Sequence, residues 1–66
     1  MTFAQKLKAK REEKGYTQAE LAKLVNLSAV AISQYEQGKK KPMVNNLKEI
    51  CRKLNCMPDD LMSDKE

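Results

Sequence analysis

Apolar residues in this chain recur three and four positions apart, and no stretch alternates at a period of two, so the pattern predicts helices and no strand. Phe3, Ala4 and Leu7, with the aliphatic stem of Arg11, form the inward stripe of a first helix that ends near Lys14 and Gly15. Tyr16 leads into a second start. Thr17 with Glu20 three residues on is a capping box: the hydroxyl accepts from one unpaired N–H of the first turn, and the carboxylate reaches back to another. Leu21, Ala22 and Val25 then share one face, with Ala22 small enough to let a second helix approach closely. Asn26 ends this run, because Asn enters the left-handed region cheaply and turns the chain before Leu27. Ser28 is a good cap for a third helix, whose inner face carries Ile32 and Tyr35 with Leu27 behind them. Ala29, Val30, Ser33, Gln34 and Gln37 point elsewhere, and Gly38 stops the helix. Residues 17–38 therefore read as two short helices pinned at a fixed angle, the second with a free outer face.

Pro42 disfavours helix at Lys41 and separates the third helix from a fourth. Leu47, Ile50, Cys51 and Leu54 repeat at helical spacing to cover the core, and Val44 is expected to join them. Asn55 supplies a second left-handed stop, Cys56 and Met57 cross over, and Pro58 opens a last short turn containing Leu61 and Met62. The expectation is an all-α, compact five-helix domain over residues 1–62, followed by a disordered polar tail at 63–66. No internal repeat or low-complexity tract interrupts it.

The run Gln18, Ala19, Glu20, Leu21, Ala22, then Val25, Leu27, Ile32, Tyr35, Glu36 and Gly38, followed by lysines and Pro42, resembles the XRE family of helix-turn-helix regulators, relatives of phage Cro and repressor DNA-binding domains. The resemblance spans about residues 3–62. It implies a bundle of the lambda repressor-like DNA-binding type with a central helix-turn-helix. It also implies an ion pair between Arg11 and Glu36 that fixes the first helix against the third, with part of the guanidinium expected to face a phosphate. The chain departs from the family pattern at Asn26, where Gly is usual, and at Met43 and Met57, where a Ser or Thr cap is common. The turn is expected to survive and the later helix starts to be weaker.

Length and charge narrow the function. The 66 residues carry a formal net charge of +4, and a chain this short buries only about 60% of the surface it exposes when unfolded. Such a length is expected to leave no room for a small-molecule effector domain. Without a long apolar stretch, a membrane span or signal peptide is not expected, and a cytoplasmic setting follows. Five positive and two negative charges lie in residues 1–16, and six positive and one negative in residues 38–53, so cations flank the helix pair. That suits a polyanion, although Lys6, Lys8 and Lys14 read more simply as solubilising.

Other chemistry finds little support. There is no His, the two cysteines Cys51 and Cys56 are not in a Cys-x-x-Cys pair, and two thiolates cannot complete a structural zinc site, so no metal or cofactor is expected. Both cysteines read as small core hydrophobes. No nucleophile is spaced to meet a base, and an enzyme is not expected.

By resemblance, Gln18 stands where the family anchors a phosphate, and Lys39, Lys40 and Lys41 follow the recognition helix where the family meets the sugar-phosphate backbone. Thr17, chiefly a cap, and Gln37, near the groove edge, are further backbone candidates. Base reading falls to Ser28, Ala29, Val30, Ser33 and Gln34. Gln34 suits a bidentate pairing with adenine, and Ala29 and Val30 suit thymine methyl groups, with plain helix filler the alternative for Ala29. The expected function is a sequence-specific double-stranded DNA-binding transcriptional regulator, a repressor acting as a homodimer on a palindromic operator through the major groove. Met57, Leu61 and Met62 are candidates for the dimer interface or, equally, for closing the monomer core. The rival expectation is a protein-interaction module, such as an antitoxin, on the same scaffold.

Overall fold

Five helices follow one another in the computed structural model, which describes residues 2–62 and, of Met62, only the backbone. They are α1 (Phe3–Glu13), α2 (Gln18–Leu24), α3 (Ala29–Glu36), α4 (Val44–Leu54) and α5 (Pro58–Met62). The expected tail at 63–66 and the side chain of Met62 lie outside the described residues.

One backbone device ends each of the first four helices. A residue with positive φ follows the helix, namely Gly15 (81°), Asn26 (61°), Gly38 (78°) and Asn55 (56°). The next N–H then reaches back five residues to a carbonyl of the last turn: Tyr16 to Arg11 at 3.2 Å, Leu27 to Ala22 at 2.8 Å, Lys39 to Gln34 at 3.0 Å and Cys56 to Cys51 at 2.9 Å. These are Schellman closures, which satisfy carbonyls that the helix leaves unpaired and reverse the chain within two residues. Asn26 and Asn55 take up the left-handed conformations expected of them.

The starts are more varied. The capping box of Thr17 and Glu20 is formed, with Glu20 N–H on Thr17 Oγ1 at 3.0 Å and Thr17 N–H on Glu20 Oε1 at 2.8 Å. Ser28 Oγ accepts from Ala31 N–H at 3.1 Å. A box not expected from the sequence joins Thr2 and Gln5 at the start of α1. At Met43 no side chain caps α4, in keeping with the missing hydroxyl. At Met57 only the returning half of a capping box is present, with Asp60 Oδ2 accepting the Met57 N–H at 2.9 Å, while the Asp60 N–H donates to the Met57 carbonyl at 2.9 Å.

Phe3, Leu7, Leu21, Ala22, Val25, Ile32, Tyr35, Ile50, Cys51, Leu54 and Leu61 form the core, with Tyr16, Leu27, Ala31, Leu47 and Cys56 packed at its edge. α3 is held between α2 and α1, and α5 packs on α1 and α4. Two expectations are corrected. Val44 is 65% exposed, because it opens α4 a full turn before the buried stripe begins. Leu61 is buried at 1% exposure, so it belongs to the core that α5 closes over α1 and is not available to a dimer interface.

Asn26→Gly is expected to change stability little, whereas Asn26→Ala forces a Cβ-bearing residue without a helpful side chain into the left-handed region and loses about 1–2 kcal/mol. Urea denaturation of the two variants measures the difference.

Burial pushes the Cys51 thiol from 9.0 up to about 12, with Cys56 and Asp60 adding to the shift. Between those values the unfolded chain releases a proton that the folded chain keeps, so stability is lost as pH rises from 9.0 toward about 12. Denaturation midpoints are expected to fall more steeply over that range for the wild type than for Cys51→Ala.

Candidate nucleic-acid interface

The face of α3 turned away from the core carries a stripe at spacings of three and four: Val30, Ser33, Gln34 and Gln37. Val30 is 64% exposed, Ser28, Ala29 and Gln37 are exposed, and Ser33 and Gln34 are half-buried. No described residue hydrogen-bonds the Gln34 side-chain amide, although its backbone carbonyl takes the N–H groups of Lys39 at 3.0 Å and Lys40 at 3.4 Å. The exposed lysines therefore leave α3 from an anchored backbone. Gln37 Nε2 donates to Ser33 Oγ at 2.9 Å.

Behind this face lies a buried polar cluster. Arg11 Nε donates to Glu36 Oε2 at 2.7 Å and Nη2 to Oε1 at 3.1 Å, a forked pair that ties α1 to the last residue of α3. Arg11 Nη1 donates to the Tyr16 carbonyl at 2.7 Å, which fixes the link between α1 and α2. The Arg11 side chain is 9% exposed and that of Glu36 4%. Hydrogen bonding to Glu36 raises the Arg11 pKa, burial opposes this, and the charges of Glu36 and Glu12 reinforce it, so Arg11 stays charged.

The pair implied by the resemblance is thus present, but Arg11 is turned inward and is withdrawn as a phosphate contact. Gln18 also differs from expectation: it is half-buried, and its Nε2 donates to Glu36 Oε1 at 3.0 Å. Its carbonyl oxygen and second amide hydrogen have no described protein partner. Nothing in sequence spacing signals this bond, since residues 18 and 36 meet only through the angle between α2 and α3. Thr17, whose hydroxyl is occupied as a cap, is exposed beside it. Met57, at 67% exposure, follows α4, and exposed Met43 and Val44 stand at the start of that helix.

A helix-turn-helix family profile matches residues 7–61, which includes α2, the Asn26 turn and α3. The chain belongs to the XRE-type helix-turn-helix family. Repressor protein C2 of Salmonella phage P22 is 38% identical over 60 residues, covering 91% of this chain and 28% of the relative. The HTH-type transcriptional activator BcrR of Enterococcus faecalis is 38% identical over 66 residues, covering 100% of this chain and 32% of the relative. The chain thus spans about a third or less of these two curated relatives. The crystal structure of the P22 c2 repressor with synthetic operator 9T superposes with a TM-score of 0.90 at 35% identity, covering 97% of this chain and 98% of that one. Within this XRE-type fold, the Arg11, Gln18 and Glu36 cluster sets how α3 sits on α1 and α2.

Arg11→Met leaves a buried carboxylate unpaired and is expected to destabilise the protein by about 3–5 kcal/mol, while Arg11→Met with Glu36→Met recovers most of that loss. Urea denaturation of the single and double variants checks the coupling.

Proposed function

We propose that this protein is a sequence-specific double-stranded DNA-binding transcriptional regulator that inserts the outer face of α3 into the major groove. The observation that carries the reading is an uncharged, partly exposed helix stripe braced from behind by a buried ion pair and followed by three exposed lysines. An α-helix fits the roughly 12 Å width of the groove. Gln34 is free to donate to and accept from an adenine edge, and Val30, with Ala29 beside it, suits thymine methyl groups. Ser28 keeps its hydroxyl hydrogen for a base after accepting the cap bond. Lys39, Lys40 and Lys41 contact phosphates, as does Gln18 through the amide hydrogen left over from Glu36, with Thr17 adjacent.

Repression is the preferred sense, on the likeness to a protein named a repressor, although another relative is named an activator. A single short helix offers limited affinity, so the regulator acts as a dimer on a palindromic operator, with half-sites about one helical turn apart. With Leu61 buried, Met57 remains as the described candidate for the dimer contact. Exposed Met43, Val44 and Met57 also suit a protein partner, which keeps the interaction-module reading as the alternative.

Binding selection from random duplexes tests the proposal. The expected result is a symmetric site with T and A at the contacted positions, whose affinity falls steeply between about 50 and 200 mM salt. Gln34→Ala is expected to lose about 1–3 kcal/mol of discrimination at one position in each half-site. Failure to enrich any sequence at low salt would contradict the reading.

A further inference from the structure

We propose that Ser33 and Gln37 form one base-selecting unit, in which the Gln37 amide holds the Ser33 hydroxyl as a hydrogen-bond donor directed at a base edge. This rests on the DNA-binding reading of α3. The two residues are one helical turn apart on the outward stripe, and Gln37 Nε2 donates to Ser33 Oγ at 2.9 Å. Among the described residues this is the only hydrogen bond of the Ser33 side chain, so the bond a helical serine often gives to the carbonyl four residues earlier is not made.

A free serine hydroxyl rotates, donates and accepts, and therefore reads base edges indiscriminately. With an incoming N–H from Gln37 taking one of the two lone pairs, the hydroxyl keeps its proton and a single lone pair, which favours donation toward the groove over acceptance. In the major groove, guanine N7 and O6, adenine N7 and thymine O4 all accept, whereas cytosine presents only its N4 amino donor. The unit therefore disfavours cytosine at the position that Ser33 faces. Gln37 acts through Ser33 and is a positioning residue, which replaces the backbone contact expected from its place at the groove edge.

The experiment compares wild type, Ser33→Ala, Gln37→Ala, the double variant and Gln37→Glu by duplex selection and competition at one salt concentration, with thermal melts to confirm folding. Wild type is expected to disfavour cytosine about two- to tenfold at one position in each half-site, the range of a single hydrogen bond. Gln37→Ala and Ser33→Ala each level that same position, and the double variant does no more. Gln37→Glu reverses the hydrogen bond, because the carboxylate only accepts, so Ser33 then offers its lone pairs outward and the preference shifts toward cytosine while affinity falls for all duplexes. Uniform weakening by Gln37→Ala with base preferences intact, or changes by the two single variants at different positions, overturns the unit alone. A wild type that selects no sequence overturns the DNA-binding reading and the unit with it.

Discussion

Glu36 ends the helix that is offered outward, yet its carboxylate is inside the protein, and that one buried charge constrains everything around it. A carboxylate removed from water needs a cation and its lone pairs filled. Arg11 supplies two parallel bonds from α1 and Gln18 a third from α2, so three helices converge on one side chain. The net stability gained over an apolar replacement is small, since desolvation offsets most of the attraction. What the cluster supplies is direction. Apolar contacts alone tolerate a small rotation of α3, whereas a planar guanidinium fork on a carboxylate permits one geometry, and with it one set of outward residues.

The same economy appears in the turns. Four helices close by the same backbone bond, and in three of the four cases the next helix begins within five residues of the last. A chain of 66 residues has little apolar surface to spare for positioning its elements. Local hydrogen bonds set the angles, and the core has only to fill the space between them. Lys39 and Lys40 inherit this order, because their N–H groups close on the Gln34 carbonyl and start the basic run at a fixed point beside α3.

Helix ends were legible in the sequence wherever a residue type is demanded by backbone geometry, as with Asn26, Gly38, Asn55, Thr17 and Ser28. Thr2 and Gln5 obey the same spacing rule and were open to the same reading. Other features depend on tertiary angle, which spacing does not carry. Leu61 and Met57 are both apolar residues near the end of the chain, and which one is covered is decided by the face that α5 turns to α1. Val44 continues a helical stripe past the point where anything lies over it. Gln18 reads as an exposed amide until α2 and α3 are brought together at Glu36. The Arg11 and Glu36 pair was accessible only through family likeness, and its inward orientation only through the structure.

The central claim is that a braced α3 is the surface that meets nucleic acid. Amide chemical-shift mapping of isotopically labelled protein, titrated with a duplex of selected sequence, tests it most directly. The account predicts shifts concentrated at residues 28–41 and at Thr17 and Gln18, with the Arg11 Nε–H resonance still protected in the complex. Shifts centred instead on Met43, Val44 and Met57, with α3 unmoved, would contradict it.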